Sequence, residues 1–234
     1  MADYDSWAAD YDEWAVPALD ADVPFYVDLA REATEPIVEL GVGTGRIAIP
    51  IARETGKRVI GIDPSTAMLA VGRESAGDLP VEFREGDYRD FTVEEPVDLI
   101  ICPARALLHA RGWADKRRVF ESVAAALKPG GRFAWNAFVF SPFVATRLHG
   151  EKRVLEGSDL WEVVRHVPAE SRADLTRGRG DQAHATLHLW WATKSEWEGL
   201  VEVSGLETEA LYGSFDRRPF DDDALEFVWI ARKP

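Results

Sequence analysis

Three glycines and the acidic residues near them are the residues of this sequence best suited to chemistry. The turn "ELGVGTGR" places Gly41, Gly43 and Gly45 directly after an apolar run. Glycines at such a turn let the backbone bend sharply and approach a ligand closely. Asp63 follows at about 20 residues' distance, where a carboxylate can accept hydrogen bonds from both hydroxyls of a ribose. The pattern predicts a nucleotide-type binding site, although the spacing alone does not choose the ligand.

The charge around the glycine turn narrows the choice of ligand. Glu39 lies two residues before Gly41, and Asp87 lies in "REGDYRDF" after a later predicted strand. These carboxylates would repel a pyrophosphate, whereas they would attract a ligand that carries a sulfonium and an ammonium and no phosphate. The charge therefore favours S-adenosylmethionine over NAD, whose binding proteins use the spacing G-x-G-x-x-G.

His109, in the segment "CPARALLHARGW", is the candidate catalytic residue. The segment follows a predicted strand, and ligands of open α/β sheets lie outside the carboxyl ends of the strands. Histidine has a pKa naturally near neutrality, which suits a general base. An equally weighted alternative is a histidine that hydrogen-bonds its loop or shapes the pocket. Arg105, in the same segment, is expected to face water.

Four aromatic residues stand near the start of the chain in "YDSWAADYDEW". On a helix, Tyr4, Trp7, Tyr11 and Trp14 would share one face. Aromatic rings attract cations and exclude water, so the face could cover a cationic ligand. For Trp7 and Trp14 the alternative is an amphipathic helix packed on the domain with no ligand in reach.

Alternating strands and helices make up the first part of the chain after this segment. The sequence predicts a helix at Asp22–Ala33, then strands at Pro36–Leu40, Arg58–Ile62, Val81–Arg84, Val97–Cys102 and Arg132–Phe138, with helices at Arg46–Thr55, Ser65–Ser75 and Asp115–Leu127 between them. Such alternation predicts an α/β fold with a doubly wound, mostly parallel sheet.

The pattern changes beyond Ser141. Strands are predicted at Asp159–Val167, Ser171–Thr176 and Ala183–Ala192, then a helix from Thr193 or Ser195 to about Ser204, and final strands at Leu206–Tyr212 and Ala224–Ala231. The final pair forms an antiparallel hairpin, which completes seven strands in one domain of residues 1–234. Residues 150–193 are predicted to form a small antiparallel β insertion over the substrate side. His184 and His188 share a strand face there, but without a third ligand we predict no metal site.

The composition excludes several classes of partner. Lys and Arg total 27 and Asp and Glu total 41, which gives a formal charge of −14. No cluster of basic residues is large enough to hold a nucleic-acid backbone. No apolar run approaches the roughly 18 residues that a membrane span needs. The single cysteine, Cys102, excludes an internal disulfide and fits a cytoplasmic location, and a homodimer is left open.

The segment Val38–Phe138 resembles the small class I S-adenosylmethionine-dependent methyltransferases. The matching motifs are "ELGVGTGR", "GIDPSTAML", "GDYRDF", "VDLIIC" and "LKPGGRF", in that order. The closing "LYGSFDRRPFDDDALEFVWIARKP" resembles the last hairpin of those enzymes. The resemblance implies methyl transfer from S-adenosylmethionine to the nitrogen or oxygen of a small molecule. Because the insertion resembles the acceptor lid of sugar amine N-methyltransferases, an amine is favoured.

The resemblance also implies a set of cofactor-binding residues. Gly41, Gly43 and Gly45 would line the methionine part, Asp63 would bind the ribose, Met68 would flank the adenine, and Asp87 with Tyr88 would lie at the adenine amine. Glu39 would support the loop or meet the ammonium through water, Arg46 would contact the cofactor carboxylate, and Tyr11, within N-terminal lid helices spanning residues 1–33, would approach the methionine end. Helix capping for Asp63 and Asp87, and core filling for Met68, are the alternatives.

Two rival functions follow from the same residues. An NAD-dependent oxidoreductase would use the same sheet, but the glycine spacing and the acidic residues disfavour it. A non-catalytic cofactor-binding or scaffold protein would keep the fold without turnover.

Overall fold

A seven-stranded sheet lies at the centre of the protein, in a computed structural model that describes residues 4–8, 10–13 and 20–234. Its strands are β1 (Ile37–Leu40), β2 (Val59–Asp63), β3 (Val81–Glu85), β4 (Val97–Cys102), β5 (Leu127–Phe138), β10 (Glu207–Tyr212) and β11 (Glu226–Arg232). The order across the sheet is β10-β11-β5-β4-β1-β2-β3. Strands β1 to β5 run parallel, and β11 is antiparallel to both β5 and β10. The predicted fold class is confirmed.

Helices cover both faces of this sheet. They are α1 (Val23–Glu32), α2 (Ala48–Thr55), α3 (Thr66–Ala76), α4 (Gly112–Ala126) and α6 (Lys194–Val203), and a short α5 (Pro142–Leu148) leads into the insertion. One core joins α1, α2 and α3 to the sheet, and the other joins α4 and α6 to the opposite face. Because both faces are covered, β1 is buried at every position, including Glu39, as its mostly apolar sequence predicts.

Aromatic side chains fill the core beside α4 and α6. Trp135 is fully buried and stacks on Phe133 and Trp229, with ring centroids 4.8 and 5.7 Å away. Trp197 of α6 closes the group at 6.0 Å from Trp135. This packing fixes β5 and β11, and therefore the edge of the sheet at which β4 ends.

A separate four-stranded antiparallel sheet forms the insertion, with β6 (Lys152–Val154), β7 (Leu160–Val167), β8 (Arg172–Arg179) and β9 (Gln182–Trp190). Three of these strands were expected. The prediction missed β6, which has three exposed residues and no alternation, and also α5, which Ser141 caps. It also began the turn between β8 and β9 too early, because β8 remains paired through Arg179.

The start of the chain is less regular than the aromatic spacing predicts. Asp5–Trp7 form a 3-10 turn and residues 11–13 are helical. Trp14 lies outside the described residues, as does much of the predicted lid of residues 1–33. Within the described ranges, no helix is both long enough and apolar enough to cross a membrane.

Candidate functional site

The glycine turn exposes its backbone to a cleft at the carboxyl ends of β1 and β2. Gly41, Gly43 and Gly45 all have positive φ, at 73°, 53° and 86°, which side chains rarely allow. Gly41 N–H donates to the carbonyl of Ile62 at 2.8 Å, which ties the turn to the end of β2. A Cβ added to Gly41 would lie only 2.9 Å from Cβ of Ala106. The turn therefore leaves room for a ligand and none for a side chain.

Asp63, the last residue of β2, is held against the glycine turn by backbone donors. Gly43 N–H donates to its Oδ2 at 3.0 Å, and Ser65 N–H donates to its Oδ1 at 2.8 Å. Burial is the main influence on this carboxyl and raises its pKa above the ordinary value. The two donors fix the orientation of the carboxylate beside the cleft.

A cavity of about 670 Å³ occupies the cleft and has the size of a small-molecule site. It brings together most of the predicted site residues, namely Tyr11, Gly41, Gly43, Asp63, Met68, Asp87, Tyr88 and His109. Further lining residues that sequence reasoning did not select include Tyr4, Asp5, Ser65, Arg89 and Trp190. Each of these five belongs to a segment already singled out by a motif, but nothing in the sequence shows which side chain of a segment faces inward.

Arg46 does not line the cavity. Its two terminal nitrogens donate to the two oxygens of Asp22, each at 2.6 Å, and both side chains are buried. This pair joins the start of α2 to the residue before α1. The predicted contact of Arg46 with the carboxylate of a cofactor stays a prediction, and the structure gives Arg46 a second function in fixing the helix behind the glycine turn. Gly45 also lies behind the cavity wall, against Ile49 and Phe83.

Glu39 is buried behind the same turn. The Ala48 backbone hydrogen-bonds to its carboxyl group, but Oε2 finds no partner among the described residues. Burial raises the pKa of Glu39 well above its ordinary value, and Arg46 opposes that shift. The carboxyl supports the start of α2 from inside the protein. Because it is buried, its ionisation lowers the stability of the native state, and this loss depends on pH.

We expect the substitution Glu39→Gln to change how stability depends on pH. The raised pKa means that ionised Glu39 destabilises the native state above its unfolded-state pKa, and that this penalty vanishes as the pH falls through that value, about 4.3. The free energy of unfolding of Glu39→Gln minus that of the wild type should therefore decrease from pH 7 to pH 5, by on the order of 1 kcal/mol. Urea unfolding at both pH values measures it. A difference that does not change with pH would contradict the prediction.

Asp87, Tyr88 and Met68 lie on one side of the cavity. Arg89 donates to Asp87 through its backbone N–H and its guanidinium, and this pairing lowers the pKa of Asp87. Tyr88 O–H donates to the carbonyl of Ala106 at 3.2 Å, which fixes the loop after β4. Met68 is buried, and its Cε would contact a Cβ on Gly43 at 3.2 Å. Met68 and Tyr88 therefore line the cavity beside a carboxylate that Arg89 compensates.

The described aromatic residues of the N-terminal segment form one cluster over the cavity. Ring centroids of Tyr4 and Trp7 are 5.6 Å apart, and Tyr11 lies 6.1 Å from Tyr4 and 5.5 Å from Trp7. Trp7 is buried against Ala185 and Leu187 of β9. The rings therefore share a face, as the spacing predicts, and fill the space between the insertion and the cavity.

Tyr4 and His109 form a buried hydrogen-bonded pair in the cavity wall. Tyr4 Oη lies 2.7 Å from His109 Nε2, and the His188 backbone also hydrogen-bonds to His109. Burial, together with the charge of Arg177, lowers the pKa of His109 to about 4, and burial raises the pKa of Tyr4. At neutral pH both groups are uncharged, and the neutral ring carries one proton, which the His188 backbone receives. Nε2 is then left to accept from the hydroxyl of Tyr4. The pair spans 105 positions of sequence, which hid it from motif analysis.

Two further polar residues near the site have carboxylate partners. Arg105 does not simply face water, because its guanidinium pairs with Glu226 at 2.6 Å and its backbone φ is positive, at 61°. His188 Nδ1 lies 2.6 Å from Asp174 Oδ1, so its partner is a carboxylate of the insertion. Among the residues that the structure describes, no group of three or more His, Cys, Asp or Glu could hold a metal ion.

Comparison with known proteins agrees with this geometry. Residues 37–131 match the model of a methyltransferase domain. The chain is 26% identical to a cypemycin N-terminal methyltransferase from a Streptomyces species, over 84% of this chain and 82% of that protein. It is 29% identical to a dTDP-4-amino-2,3,4,6-tetradeoxy-D-glucose N,N-dimethyltransferase from Saccharopolyspora spinosa, over 77% of this chain and 74% of that protein. The solved CcbJ methyltransferase from Streptomyces caelestis superposes with a TM-score of 0.82 at 27% identity, covering 98% of this chain and 96% of that one.

Proposed function

We propose that this chain is an S-adenosylmethionine-dependent methyltransferase and that it methylates an amine nitrogen of a small-molecule acceptor. The observation that supports the proposal most directly is a single cavity that joins the glycine turn and Asp63 to the Tyr4–His109 pair. One end of that cavity suits the cofactor, and the other offers polar groups to an acceptor.

The residues at the glycine turn fit the cofactor. Gly41 and Gly43 line the cavity with backbone alone, where the methionine part of the cofactor can approach closely. Asp63 has two backbone donors on its carboxylate and still lines the cavity, where it can accept from ribose hydroxyls. The lining contains four aspartates and two arginines, and this excess of two formal negative charges suits a ligand that is cationic and lacks phosphate.

When bound, the cofactor supplies a methyl group on a positively charged sulfur, already activated for transfer to a nucleophile. The chain then needs mainly to align the acceptor and exclude water, because proximity alone lowers such a barrier by several kcal/mol, about 7 at best. Tyr4, Trp7 and Tyr11 cover the cavity and keep water out. Their faces also favour cations, by about 0.5–2 kcal/mol each.

Tyr4 and His109 orient the acceptor in this proposal. The O–H of Tyr4 is directed to His109, so the tyrosine oxygen presents its lone pairs to an N–H of the acceptor. This hydrogen bond holds the N–H in place and thereby fixes the direction of the nitrogen lone pair. A histidine whose pKa is about 4 binds a proton too weakly to serve as the final proton acceptor at neutral pH. We therefore propose that His109 acts by accepting the hydrogen bond from Tyr4.

Nitrogen is favoured over oxygen by the relatives and by the charge of the cavity. The names of the two similar curated proteins describe an N-terminal methyltransferase and an N,N-dimethyltransferase, respectively. An amine arrives partly as a cation, which the acidic lining of this cavity attracts. The ammonium gives its proton to bulk water before the cavity closes, and the neutral nitrogen then uses its lone pair to take the methyl group. A neutral hydroxyl acceptor would gain nothing from that charge.

Calorimetric titration with S-adenosylhomocysteine, beside NAD under identical conditions, tests the cofactor. We expect micromolar binding of the first, about −8 kcal/mol, and none of the second. The acceptor is then sought by mass spectrometry, with S-adenosylmethionine and two kinds of amine: a dTDP-linked 4-amino sugar and a short peptide with a free N-terminus. The matched hydroxy sugar is the control.

Each outcome of that screen is decisive. Gain of one methyl on an amine and not on its hydroxy analogue supports the proposal. Methylation of the hydroxyl alone would contradict the choice of nitrogen. Cofactor binding with no transfer to any acceptor would favour the non-catalytic scaffold, and binding of NAD alone would overturn the cofactor.

A further inference from the structure

Two arginines of the insertion reach the N-terminal segment that carries Tyr4. Arg177 and Arg179 are separated by one residue on β8, so their side chains leave the same face of the small sheet. The face also carries Ala185 and Leu187 on the paired strand β9, against which Trp7 packs. Strand β8 therefore contacts the aromatic cluster from the insertion side.

Arg177 contacts the cluster through a ring. Its guanidinium carbon lies 5.2 Å from the centroid of Trp7, and its Nε lies 3.4 Å from Glu162 of β7. Arg177 and Glu162 are both buried, so the carboxylate fixes the guanidinium where it meets the ring. Trp7 in turn stacks on Tyr4, whose hydroxyl meets His109. A continuous set of contacts thus connects β8 to the acceptor end of the cavity.

Arg179 contacts the acidic residues on either side of Tyr11. Its Nη2 lies 3.1 Å from Asp10 and 2.6 Å from Glu13, and its Nη1 lies 2.7 Å from Asp159 at the start of β7. One side chain therefore joins the N-terminal segment to the insertion through charge-assisted hydrogen bonds.

The same segment is attached to the cofactor side by shorter polar contacts. Asp5 accepts from the hydroxyl of Ser65 at 2.5 Å, and Asp12 accepts from the hydroxyl of Thr44 at 2.6 Å. Ser65 follows Asp63, and Thr44 lies within the glycine turn. These bonds fix the segment at the cofactor, and the contacts with β8 hold it from the other side, through Trp7 and the residues on either side of Tyr11.

We propose that Arg177 and Arg179 are positioning residues, which hold the N-terminal segment on the insertion so that Tyr4 stays on His109 when the acceptor binds. The inference rests on the proposed function and adds that different parts of the chain build the two ends of the cavity. The cofactor end is built by the central sheet, and the acceptor end is completed only when the insertion and the N-terminal segment are joined.

The substitution Arg179→Gln tests the proposal in the full-length protein. We expect kcat/KM for the amine acceptor to fall about tenfold, because slight misplacement of an orienting group costs this much or more. The dissociation constant of S-adenosylhomocysteine should change less than about twofold, since Asp63 and the glycine turn are untouched. Arg165→Gln is the control, because Arg165 is exposed on β7 and has no hydrogen bond or ion pair with residues 4–8 and 10–13, the described part of the N-terminal segment.

A reciprocal variant shows whether the contact itself matters. Asp10→Asn combined with Glu13→Gln should reproduce the loss, and adding Arg179→Gln to that pair should cost little more. Arg179→Lys, which keeps a charge, should recover part of the activity. Arg177→Gln should also lower the activity. Because it removes one partner of a buried ion pair, it can destabilise the fold as well, so Arg179→Gln is the decisive variant.

Nitrogen NMR of His109 in the protein bound to S-adenosylhomocysteine gives a readout that needs no turnover. In Arg179→Gln the Nε2 signal should lose the chemical shift that the Tyr4 hydrogen bond produces. The imidazole should also titrate at higher pH, because water enters beside Tyr4, Arg177 and His188. An unchanged signal with wild-type kcat/KM, or an equal loss in Arg165→Gln, would overturn the proposal. Absence of turnover in the wild type would instead count against the proposed function, and the NMR result would still decide the positioning role.

Discussion

Asp63→Ala should weaken binding of S-adenosylhomocysteine about 100-fold. In the proposed complex the carboxylate accepts from two ribose hydroxyls, and hydrogen bonds to a charged group contribute about 1.5–3 kcal/mol each. In the variant, water can hydrogen-bond to the ribose hydroxyls and recover part of that energy. We therefore expect a net loss of binding free energy of about 2.7 kcal/mol, which is a factor of 100 in affinity. The substitution also frees the N–H groups of Gly43 and Ser65, which the carboxylate now orients.

Calorimetry of three variants separates binding from folding. Asp63→Asn keeps the shape and loses the charge, so its affinity should lie between those of the wild type and Asp63→Ala. Glu85→Ala is the matched control, because Glu85 pairs with Asp63 in register at the end of β3 but is exposed and outside the cavity lining. If Asp63→Ala bound within about threefold of the wild type, a capping role alone would explain Asp63.

The central sheet could be predicted because its signals are local. The bounds predicted for β4, Val97–Cys102, are those of the structure, because a buried parallel strand is a mostly apolar run, here broken only by Asp98. Strand β5 begins five residues earlier than the predicted start at Arg132, because "KPGG" suggests a turn although Leu127 already pairs with Val97. The pairing depends on a neighbouring strand, which no local pattern contains.

The candidate site divides in the same way. Gly41, Asp63 and His109 could be selected because each follows a strand, and the ends of parallel strands meet at one edge. The partners of these residues could not be selected. Arg46 pairs with Asp22, and Tyr4 meets His109, only because helices and the insertion bring distant segments together. Charge and ring type in the sequence show which residues can pair, whereas packing decides which of them do.

Tyr4→Phe should lower kcat for the amine acceptor about 100-fold while S-adenosylhomocysteine binds as tightly as before. The phenyl ring keeps the stacking on Trp7, so the cover over the cavity remains. What disappears is the oxygen that holds the acceptor N–H and the donor that satisfies His109 Nε2. Loss of a contact that orients the reacting group can cost a factor of about 100.

The variant His109→Ala should produce a similar loss, and the double variant should cost little more than either, because the two side chains act as one unit. Tyr212→Phe serves as control, since Tyr212 lies on β10 beside Phe25 and outside the cavity lining. The pH dependence separates the two roles of His109. A pKa of about 4 predicts that its protonation interrupts the Tyr4 hydrogen bond only in acid, so kcat should show no decline near neutrality that depends on His109. A decline of kcat at neutral pH that vanishes in His109→Ala would instead show that His109 is the general base and that Tyr4 only orients it.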